Sequence, residues 1–414
     1  MADIPNDPIT LDQFVATQPK PDPVTFQFSP GADIGEASFP VQPGEKADAA
    51  LERWAQDVLE LPEGAMSLLD IIEVRAWGPK GGRGQYVRAR VRKLDETARA
   101  AHAAAERWRK SRRPRPVTAR PPAGTPAGVW WPIADTQLGK SGEWLGDTPT
   151  TLARLDWVAT EALPRWTVDA RVTPDVIVVP LAGDLTEGVS CSYDHQTYSV
   201  THNAAEQLEL AIEAVDRIVT AACRLSDRVV VTGVASNHDK QSRRGSAGNI
   251  TDDWDDRTFV LLRTLARVYK HARPSVTVQL PSDPNVAVID DGFLTVATIH
   301  GHLPKRRPSV VQTMWEWWDR QAAHRRDAGA AQVLLTGHYH TAADYGPVSG
   351  RYLACLPSLD NGSQYFTDAH GEWSLPGVRP FATGTAGVIG GRADMLVWDH
   401  DRQAAQAQFG GVVA

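Results

Sequence analysis

The sequence predicts an α/β fold for the larger part of the chain. From about residue 128, short apolar runs alternate with stretches of helical periodicity. Strands that are apolar throughout, joined by helices, are typical of a sheet covered by helices on both faces. The strand candidates are GVWWPIA, DVIVVPLA, RVVVTGV, FLTVATI and AQVLLTG, and the clearest helices between them are NAAEQLELAIEAVDRIVTAACRL and DRTFVLLRTLARVYKHA.

Length and composition indicate a globular protein with a sizeable core. The chain has 414 residues, of which 42% are hydrophobic and 22% are charged, and its formal net charge is −7. This length exceeds that of a typical single domain, so we expect two domains or one large domain with an extension. The net charge neither requires nor excludes a nucleic-acid partner.

The cysteine pattern and the lack of long apolar runs favour a cytoplasmic location. The three cysteines are far apart and form no CxxC pair, which disfavours a disulfide scaffold or a thiolate zinc site. No apolar run approaches the ~20 residues of a membrane helix. The first residues also lack the pattern of a secretory signal, so we predict a reduced, cytoplasmic setting without membrane contact.

Four segments are predicted along the chain. Residues 1–45 are rich in Pro, Asp and Gly, which is typical of an extended or disordered segment. Residues 46–112 contain a helical stretch at 47–61, two strands around a Gly-rich turn and a further helix-forming run, so they predict a small α+β module. Residues 113–127 form a Pro/Arg-rich linker. Residues 128–414 form the large α/β domain.

Polar side chains that bind metal ions well follow each of the five strands. In sheets with helices on both faces, ligands bind beyond the carboxyl ends of the strands, so we expect these side chains to converge. In chain order they are Asp135 and Gln137, Asp184 and Glu187, Asn237, His238 and Asp239, His300 and His302, and His338 and His340.

The spacing within these motifs favours metal binding over ordinary surface loops. Residues two apart in an extended segment point to the same side, so Asp135 and Gln137 can face one ion, as can His338 and His340. Carboxylate, amide and imidazole ligands suit Mn²⁺, Fe²⁺ or Zn²⁺, and the absence of thiolates argues against a structural zinc. A single His-x-His pair would be weak evidence, but five motifs occur in order.

This order of motifs resembles the calcineurin-like metallophosphoesterase superfamily. The family pattern is D-x-H, G-D, G-N-H-[DE], a His and G-H-x-H, and this chain has D-T-Q, G-D, S-N-H-D, H-G-H and G-H-Y-H over roughly residues 128 to 400. The resemblance implies a four-layered α/β/β/α sandwich, with residues 128–414 as the catalytic domain. It also implies two divalent metal ions, with Mn²⁺ the leading candidate and Fe, Zn or Mg as alternatives.

The resemblance also implies a role for each of these side chains. Two metal positions would share a bridging carboxylate, and a histidine that is not a ligand would contact the phosphate and assist the leaving oxygen. The first metal would be held by Asp135, Gln137 and His340, the second by Asn237, His300 and His338, with Asp184 as the bridge, His238 as the catalytic histidine and Glu187 as the group that orients it.

Two positions depart from the family pattern. Gln137 stands where most members have His, which puts the identity of the first metal in doubt. Ser236 replaces the usual Gly before Asn237, and a serine would be strained there if the turn required a positive φ.

The leading functional prediction is a DNA nuclease, of the SbcD or phage type, that attacks the phosphodiester with a hydroxide bound between two metals. Basic segments near the motifs fit a polyanionic substrate, and a tryptophan cluster could stack on bases. The plain interpretations are a solvated helix end with a stiff linker, charges that balance nearby acids, and tryptophans that pack a helix on the core. The segments are residues 107–120, 240–244, 302–309 and, for the tryptophans, 315–318.

Two other functions stay open. A small-molecule nucleotide phosphohydrolase, pyrophosphatase or cyclic-nucleotide phosphodiesterase would use the same metals. A catalytically inactive scaffold of the same fold is disfavoured, because all seven predicted ligand positions carry side chains that can bind metal. The N-terminal module could dock a protein partner. His195 and His202 could line the cleft, but exposed or helix-start positions explain them equally well.

Overall fold

The structure is a computed structural model that divides into two compact units, residues 1–95 and 96–414. It describes residues 27–28, 34–40, 49–50, 53, 69–77, 86–93, 96–111, 124–142, 146–189, 192, 196–240, 255–304, 307, 309–324, 326–361, 374–389 and 395–409.

The first unit contains an antiparallel sheet. Its strands are β1 (Gln27–Phe28), β2 (Ile34–Pro40), β3 (Leu69–Trp77) and β4 (Tyr86–Lys93), in the order β1-β2-β4-β3. The two strands predicted around the Gly-rich turn are therefore present as β3 and β4. The strands β1 and β2 lie in the segment predicted to be extended or disordered, and most of the helix predicted at 47–61 lies outside the described residues.

The second unit contains the predicted alternation of strands and helices. Its strands are β5 (Thr125–Trp130), β6 (Val172–Leu181), β7 (Val229–Gly233), β8 (Val276–Val278), β9 (Ala287–Asp290), β10 (Thr295–Ile299), β11 (Val333–Thr336), β12 (Ala343–Val348), β13 (Arg351–Cys355), β14 (Phe381–Gly384) and β15 (Gly387–Ile389). Its helices are α1 (Glu96–Lys110), α2 (Thr148–Trp157), α3 (Leu163–Asp169), α4 (Ala204–Ala222), α5 (Arg257–Ala272), α6 (Val310–Ala323), α7 (Asp327–Ala330) and α8 (Asp399–Phe409). A π-helical turn (Val158–Ala162) joins α2 to α3.

These strands form two mixed sheets. One has the order β15-β14-β5-β6-β7-β8, in which β5 to β8 are parallel and β14 and β15 are antiparallel. The other has the order β12-β13-β11-β10-β9, in which β10, β11 and β13 are parallel. The five strands predicted from apolar runs are confirmed as β5, β6, β7, β10 and β11.

Alternating side chains on the central strands divide the core. In β6, Ile177 and Val179 join a cluster with the helices α2 to α5, while Val176 and Val178 pack with residues of the other sheet. Successive side chains of a strand point to opposite faces, so a strand covered on both faces is apolar at every position. The second sheet shows the same division: Val333 and Leu335 of β11 face the first sheet and Leu334 faces α6.

Polar residues at the starts of the long helices fix where those helices begin. Asn203 precedes α4, and its side chain accepts the N–H of Glu206 while the Glu206 carboxylate accepts the N–H of Asn203. This reciprocal capping box satisfies two backbone donors that have no partner inside the helix. Asp256 caps α5 and Ser309 caps α6 in the same position. Within the described part of the chain, every helix is too short or too polar to span a bilayer.

Helix α1 belongs to the second unit, whereas the sequence groups it with the N-terminal strands in one α+β module. The Arg217 guanidinium of α4 lies 3.7 Å from the ring centroid of Trp108 and donates to the Trp108 carbonyl at 2.7 Å. Arg109 forms ion pairs with Glu209 and Glu213 of α4 at 3.1 and 3.6 Å. These contacts favour the plain interpretation of the basic helix end, and the rest of the segment after residue 111 lies outside the described residues up to residue 124.

The tryptophan cluster of α6 belongs to the core. Trp318 is fully buried, and its indole N–H donates to the Ala328 carbonyl at 2.7 Å. Trp315 and Trp317 are partly buried against the same cluster. Arg351 covers the Trp318 ring at 3.8 Å from its centroid. The prediction that Trp318 stacks on a nucleic-acid base is therefore wrong, because its ring is buried and Arg351 lies over it.

A buried ion pair ties the last helix to the segment after β13. Arg154 of α2 and Asp401 of α8 are both fully buried and form two hydrogen bonds of 2.7 and 3.0 Å. The same guanidinium donates to the Leu359 carbonyl at 2.5 Å. A guanidinium can hold a carboxylate and a carbonyl together because its five N–H groups project in a rigid plane.

We expect Arg154→Met to lower the free energy of unfolding by about 3–5 kcal/mol, because it leaves the Asp401 carboxylate buried without its countercharge. Urea unfolding at neutral pH measures the change. Asp319→Asn is the matched control: Asp319 is 55% exposed in its pair with Arg351, so its loss costs about 0–1 kcal/mol. Equal effects of the two variants would contradict the structural role of Arg154.

Candidate metal centre

The predicted ligands lie on loops that leave the carboxyl ends of five parallel strands. The loops after β5, β6 and β7 come from one sheet, and those after β10 and β11 come from the other. The two sheets pack against each other face to face, so these strand ends lie in one region. Both sheets thus contribute side chains to a single centre, and contacts between side chains more than 50 residues apart follow, such as His300 with Asn237.

One half of the centre, which we call the histidine half, contains Asp184, Asn237, His300 and His338. His300 Nε2 lies 3.0 Å from Asp184 Oδ2 and 2.9 Å from Asn237 Oδ1. The His338 ring stands edge-on to His300, with centroids 5.0 Å apart. One ligand atom from each of Asp184, His300 and His338 lies within 4.8 Å of the other two. Two imidazoles, a carboxylate and an amide oxygen in such proximity fit a divalent transition metal.

The orientation of His300 is set by a backbone contact. Its Nδ1–H donates to the Ala182 carbonyl at 2.8 Å, so Nε2 faces Asp184 and Asn237. A histidine ligand commonly donates its second ring N–H to a carbonyl or carboxylate, which fixes the tautomer that can bind metal. His302 lies next to this half, with its ring centroid 5.3 Å from that of His300.

The other half, which we call the lysine half, contains Asp135, Gln137 and His340 together with Lys140 and Asp360. His340 Nε2 lies 3.3 Å from Asp135 Oδ1, and His340 Nδ1 lies 3.5 Å from Asp360 Oδ1. Lys140 Nζ donates to Gln137 Oε1 at 3.0 Å and to Asp360 Oδ2 at 2.5 Å. The two halves are linked through His338, whose backbone N–H donates to the Asp135 carboxylate at 3.0 and 3.2 Å.

His238 lies beside the histidine half. Its backbone N–H donates to Asp184 Oδ1 at 2.9 Å. Its ring Nδ1–H donates to the Glu187 carbonyl at 2.9 Å, and the Glu187 carboxylate lies 3.4 Å from the same nitrogen. Gln196 donates to that carbonyl as well, at 2.5 Å. The Glu187 carbonyl therefore holds both the His238 ring and the Gln196 amide in place.

The protonation of the histidine half follows from its charges. Burial raises the pKa of Asp184, but the imidazoles of His300 and His238 outweigh it and hold that pKa well below its usual range. Burial lowers the pKa of His300, yet the Asp184 carboxylate raises it to about 9. Burial and the neighbouring His300 keep the pKa of His338 well below its usual value. A cation bound here would displace the His300 proton that now balances Asp184.

Burial also acts on His238 and Lys140, and in both cases carboxylates outweigh it. The pKa of His238 is raised well above its usual value because Asp184 and Glu187 favour the charged ring over the penalty of burial. The pKa of Lys140 is raised because Asp360 and Glu187 counter the same penalty. Both groups are therefore positively charged at neutral pH.

Many of the candidate ligands sit on strained backbone. Among the described residues, seven residues other than glycine have a positive φ, and five of them are predicted ligands. Side chains in this left-handed region cost energy, and such residues persist only where their surroundings hold them. The five are Asp135 (50°), Gln137 (39°), Asp184 (52°), His338 (72°) and His340 (54°).

Ser236 is not strained, contrary to the concern raised by the family pattern. It is absent from the residues with positive φ. Its hydroxyl accepts the Asp184 N–H at 3.0 Å and donates to Asp239 Oδ2 at 3.1 Å. The serine thus supports the loop that carries Asp184, a role that a glycine could not perform.

Sequence reasoning missed Lys140 and Asp360. Asp360 follows β13, a parallel strand next to β11, so the rule that ligands gather at strand ends would have found it if β13 had been recognised. Lys140 lies three residues after Gln137, and no pattern in the sequence separates it from an ordinary surface lysine. His202 is buried and stacks on His102 of α1, with centroids 4.2 Å apart, while His195 lies outside the described residues.

No protein-family model matches the sequence, and no curated protein matches it. Three solved structures with low identity are similar to parts of the chain. Vps29 of Entamoeba histolytica, solved with Zn²⁺, is 12% identical with a TM-score of 0.32, over 63% of this chain and 88% of that one. Vps29 of Chaetomium thermophilum is 12% identical with a TM-score of 0.27, over 62% and 84%. A predicted phosphoesterase of Streptococcus pneumoniae TIGR4 is 14% identical with a TM-score of 0.22, over 42% and 74%. At these TM-scores the likenesses carry no argument about fold or activity.

We expect Gly183→Ala to disturb the Asp184 loop more than a comparable change elsewhere. Gly183 has φ +92°, and an added Cβ would lie 2.6 Å from Ser236 Cβ and 2.8 Å from His300 Nδ1. The variant should lose stability and bind Mn²⁺ more weakly. Gly387→Ala is the control, since its φ is +102° but nothing lies within 4 Å of the added carbon; backbone strain alone costs it about 1–2 kcal/mol. Equal losses in urea unfolding would show that the crowding at Gly183 has no effect.

Proposed function

We propose that the protein is a metal-dependent phosphodiester hydrolase. The observation that carries this proposal is the convergence of Asp184, His300 and His338 within 4.8 Å, with the His238 ring beside them. The residues that would hold a divalent ion are these three and Asn237. The division of the core between helices and sheets supports the four-layered α/β/β/α arrangement implied by the resemblance.

The chemistry divides between the ion and the chain. A bound divalent ion supplies positive charge that offsets the negative charge of a phosphodiester and makes phosphorus easier to attack. The chain positions that charge through Asp184, whose ionised carboxylate is fixed by the backbone N–H of His238 at 2.9 Å. Burial of the surrounding side chains excludes water and strengthens these electrostatic interactions.

His238 is the residue that we assign to the leaving oxygen. Glu187 holds Nδ1–H, so the proton for the leaving group would come from Nε2. The charged ring can donate that proton to the developing alkoxide, and Glu187 then stabilises the orientation that makes the transfer possible. Water would attack phosphorus as the bond to the leaving oxygen breaks, and that oxygen would take the His238 proton, so the hydrolysis would need no covalent intermediate on the chain.

DNA stays the leading prediction, but two of its four supports weaken, because Trp318 is buried and Arg109 is paired with glutamates of α4. Most of the basic segment 240–244 lies outside the described residues. A nucleotide phosphohydrolase needs only the centre itself and is the second candidate. A cytoplasmic location and a protein partner of the N-terminal unit also stay predictions.

Turnover assays with Mn²⁺ test the proposal. We expect hydrolysis of bis(p-nitrophenyl) phosphate, lost with EDTA and lost in Asp184→Asn, because that change removes the charge at the centre of the histidine half. Linear DNA and nucleoside diphosphates assayed in parallel decide between the two substrate classes. Protein that binds Mn²⁺ but hydrolyses none of these substrates would contradict the proposal and favour the inactive scaffold.

His238→Ala should separate catalysis from metal binding. We expect turnover of bis(p-nitrophenyl) phosphate to fall by about 10²–10⁴-fold, the usual contribution of a general acid, while the amount of Mn²⁺ bound per chain stays unchanged. His324→Ala is the control, since His324 is an exposed histidine at the end of α6. Full activity of His238→Ala would remove His238 from the mechanism.

A further inference from the structure

We infer that the ammonium group of Lys140 takes the place of the first predicted metal ion. The centre would then bind one divalent ion and not two. The inference rests on the proposed function only in treating the histidine half as a metal site. It concerns the lysine half, where the residues assigned to the first metal do not fit an ion.

The first reason is that Gln137 already has a cationic partner. Its side chain could offer a metal only the amide oxygen, Oε1, since the amide nitrogen is a donor. That oxygen accepts a hydrogen bond from Lys140 Nζ at 3.0 Å. The ammonium is anchored on its other side by Asp360 Oδ2 at 2.5 Å, and Asp360 is fully buried. The amide oxygen therefore faces a fixed positive charge.

The second reason is that His340 and Asp135 are engaged with other groups. The His340 ring lies between two carboxylates, with Nε2 3.3 Å from Asp135 Oδ1 and Nδ1 3.5 Å from Asp360 Oδ1. Both oxygens of Asp135 also accept the backbone N–H of His338, at 3.2 and 3.0 Å. The Lys140 ammonium and His340 thus share the Asp360 carboxylate, which places the positive charge beside a second residue assigned to the first metal.

The histidine half differs in the partner of its amide oxygen: Asn237 Oδ1 faces His300 Nε2 at 2.9 Å, whereas Gln137 Oε1 faces the Lys140 ammonium. There the His300 Nδ1–H is satisfied by the Ala182 carbonyl, and Nε2 faces the oxygens of Asp184 and Asn237. Among the described residues, Asp184, His300 and His338 are the group of acids, histidines or cysteines whose ligand atoms lie close enough to hold an ion. The lysine half forms no such group.

The charge of Lys140 also disfavours a metal ion in the lysine half. Lys140 is mostly buried, with its side chain 13% exposed, and charges in such surroundings interact more strongly than in water. A divalent ion at Gln137 would be repelled by the ammonium bound to the same oxygen. Lys140 instead places a single fixed positive charge in the lysine half, in the form of a compact ammonium group. This contact explains why Gln137 stands where the family pattern has histidine: its amide oxygen accepts a hydrogen bond from the Lys140 ammonium.

Metal stoichiometry tests this inference without reference to activity. Purified full-length protein is stripped with a chelator and equilibrated with Mn²⁺, and bound metal per chain is measured after gel filtration. We expect one ion per chain, with the low-temperature EPR spectrum of an isolated Mn²⁺ ion without exchange coupling. His300→Ala should bind none, and His340→Ala should keep the ion.

Substitution of the lysine gives the second part of the test. Lys140→Met removes the charge with a side chain of similar length, and we expect it to bind a second ion and to show an exchange-coupled EPR spectrum. Lys140→Arg keeps a positive charge and should stay at one ion. Circular dichroism reports whether Lys140→Met folds; if it does not, the wild-type and His340→Ala counts decide.

Several results would overturn the inference. Two ions in the wild-type protein, loss of the ion in His340→Ala, or a folded Lys140→Met that still binds one ion would each contradict it. Two ions with phosphodiesterase turnover would overturn it while leaving the proposed function intact. One ion with no turnover on any phosphodiester would support the inference and contradict the proposed function.

Discussion

The buried carboxylate of Asp239 joins the loops on which the centre depends. Its oxygens accept the backbone N–H groups of Leu185 and Thr186, both at 2.9 Å, and the hydroxyl of Ser236 at 3.1 Å. Thr258, at the start of α5, donates to it at 3.1 Å. A buried carboxyl group that accepts this many hydrogen bonds is stabilised inside the protein, whereas without partners it would be costly to bury. Asp239 thereby fixes the residues that follow Asp184 to the turn that carries His238.

That anchoring explains how strained backbone persists at the centre. The left-handed conformation of Asp184 costs free energy that its own contacts must offset. The loop is held on both sides, by Asp239 after Asp184 and by the Ser236 hydroxyl on the Asp184 N–H. Asp135, Gln137, His338 and His340 share this conformation with Asp184, so strained backbone and candidate ligands coincide at the centre.

The sequence was sufficient for the features that depend on local pattern. Apolar runs identified the central strands, because a strand covered on both faces is apolar at every position. The rule that ligands gather beyond the carboxyl ends of strands then located the polar loops after them. The sequence shows Asp239 only as one of three polar residues after a strand. Its structural role depends on the backbone groups that lie opposite it, which the sequence does not specify. The contacts of Lys140 and Asp360 join positions 220 residues apart, and no periodicity in the chain specifies such a pair.

The same limit applies to the aromatic and basic stretches. Helical spacing does not determine which face of α6 is covered, so a surface role for Trp318 was compatible with the sequence. The contacts of Trp318 with Ala328 and Arg351 show that it is buried. The role of Arg109 likewise depends on its ion pairs with glutamates of α4, which are about a hundred residues further along the chain. Composition gives the number of charges and rings, and packing decides which of them water can reach.

The ion pair between Arg154 and Asp401 has a consequence for the end of the chain. Arg154 also holds the carbonyl of Leu359, whose neighbour Asp360 anchors Lys140. Helix α8 is therefore linked to the Lys140 ammonium through the Arg154 guanidinium and the peptide unit between Leu359 and Asp360. A substitution that weakens the packing of α8 should also shift Asp360 and, with it, the carboxylate that anchors the ammonium.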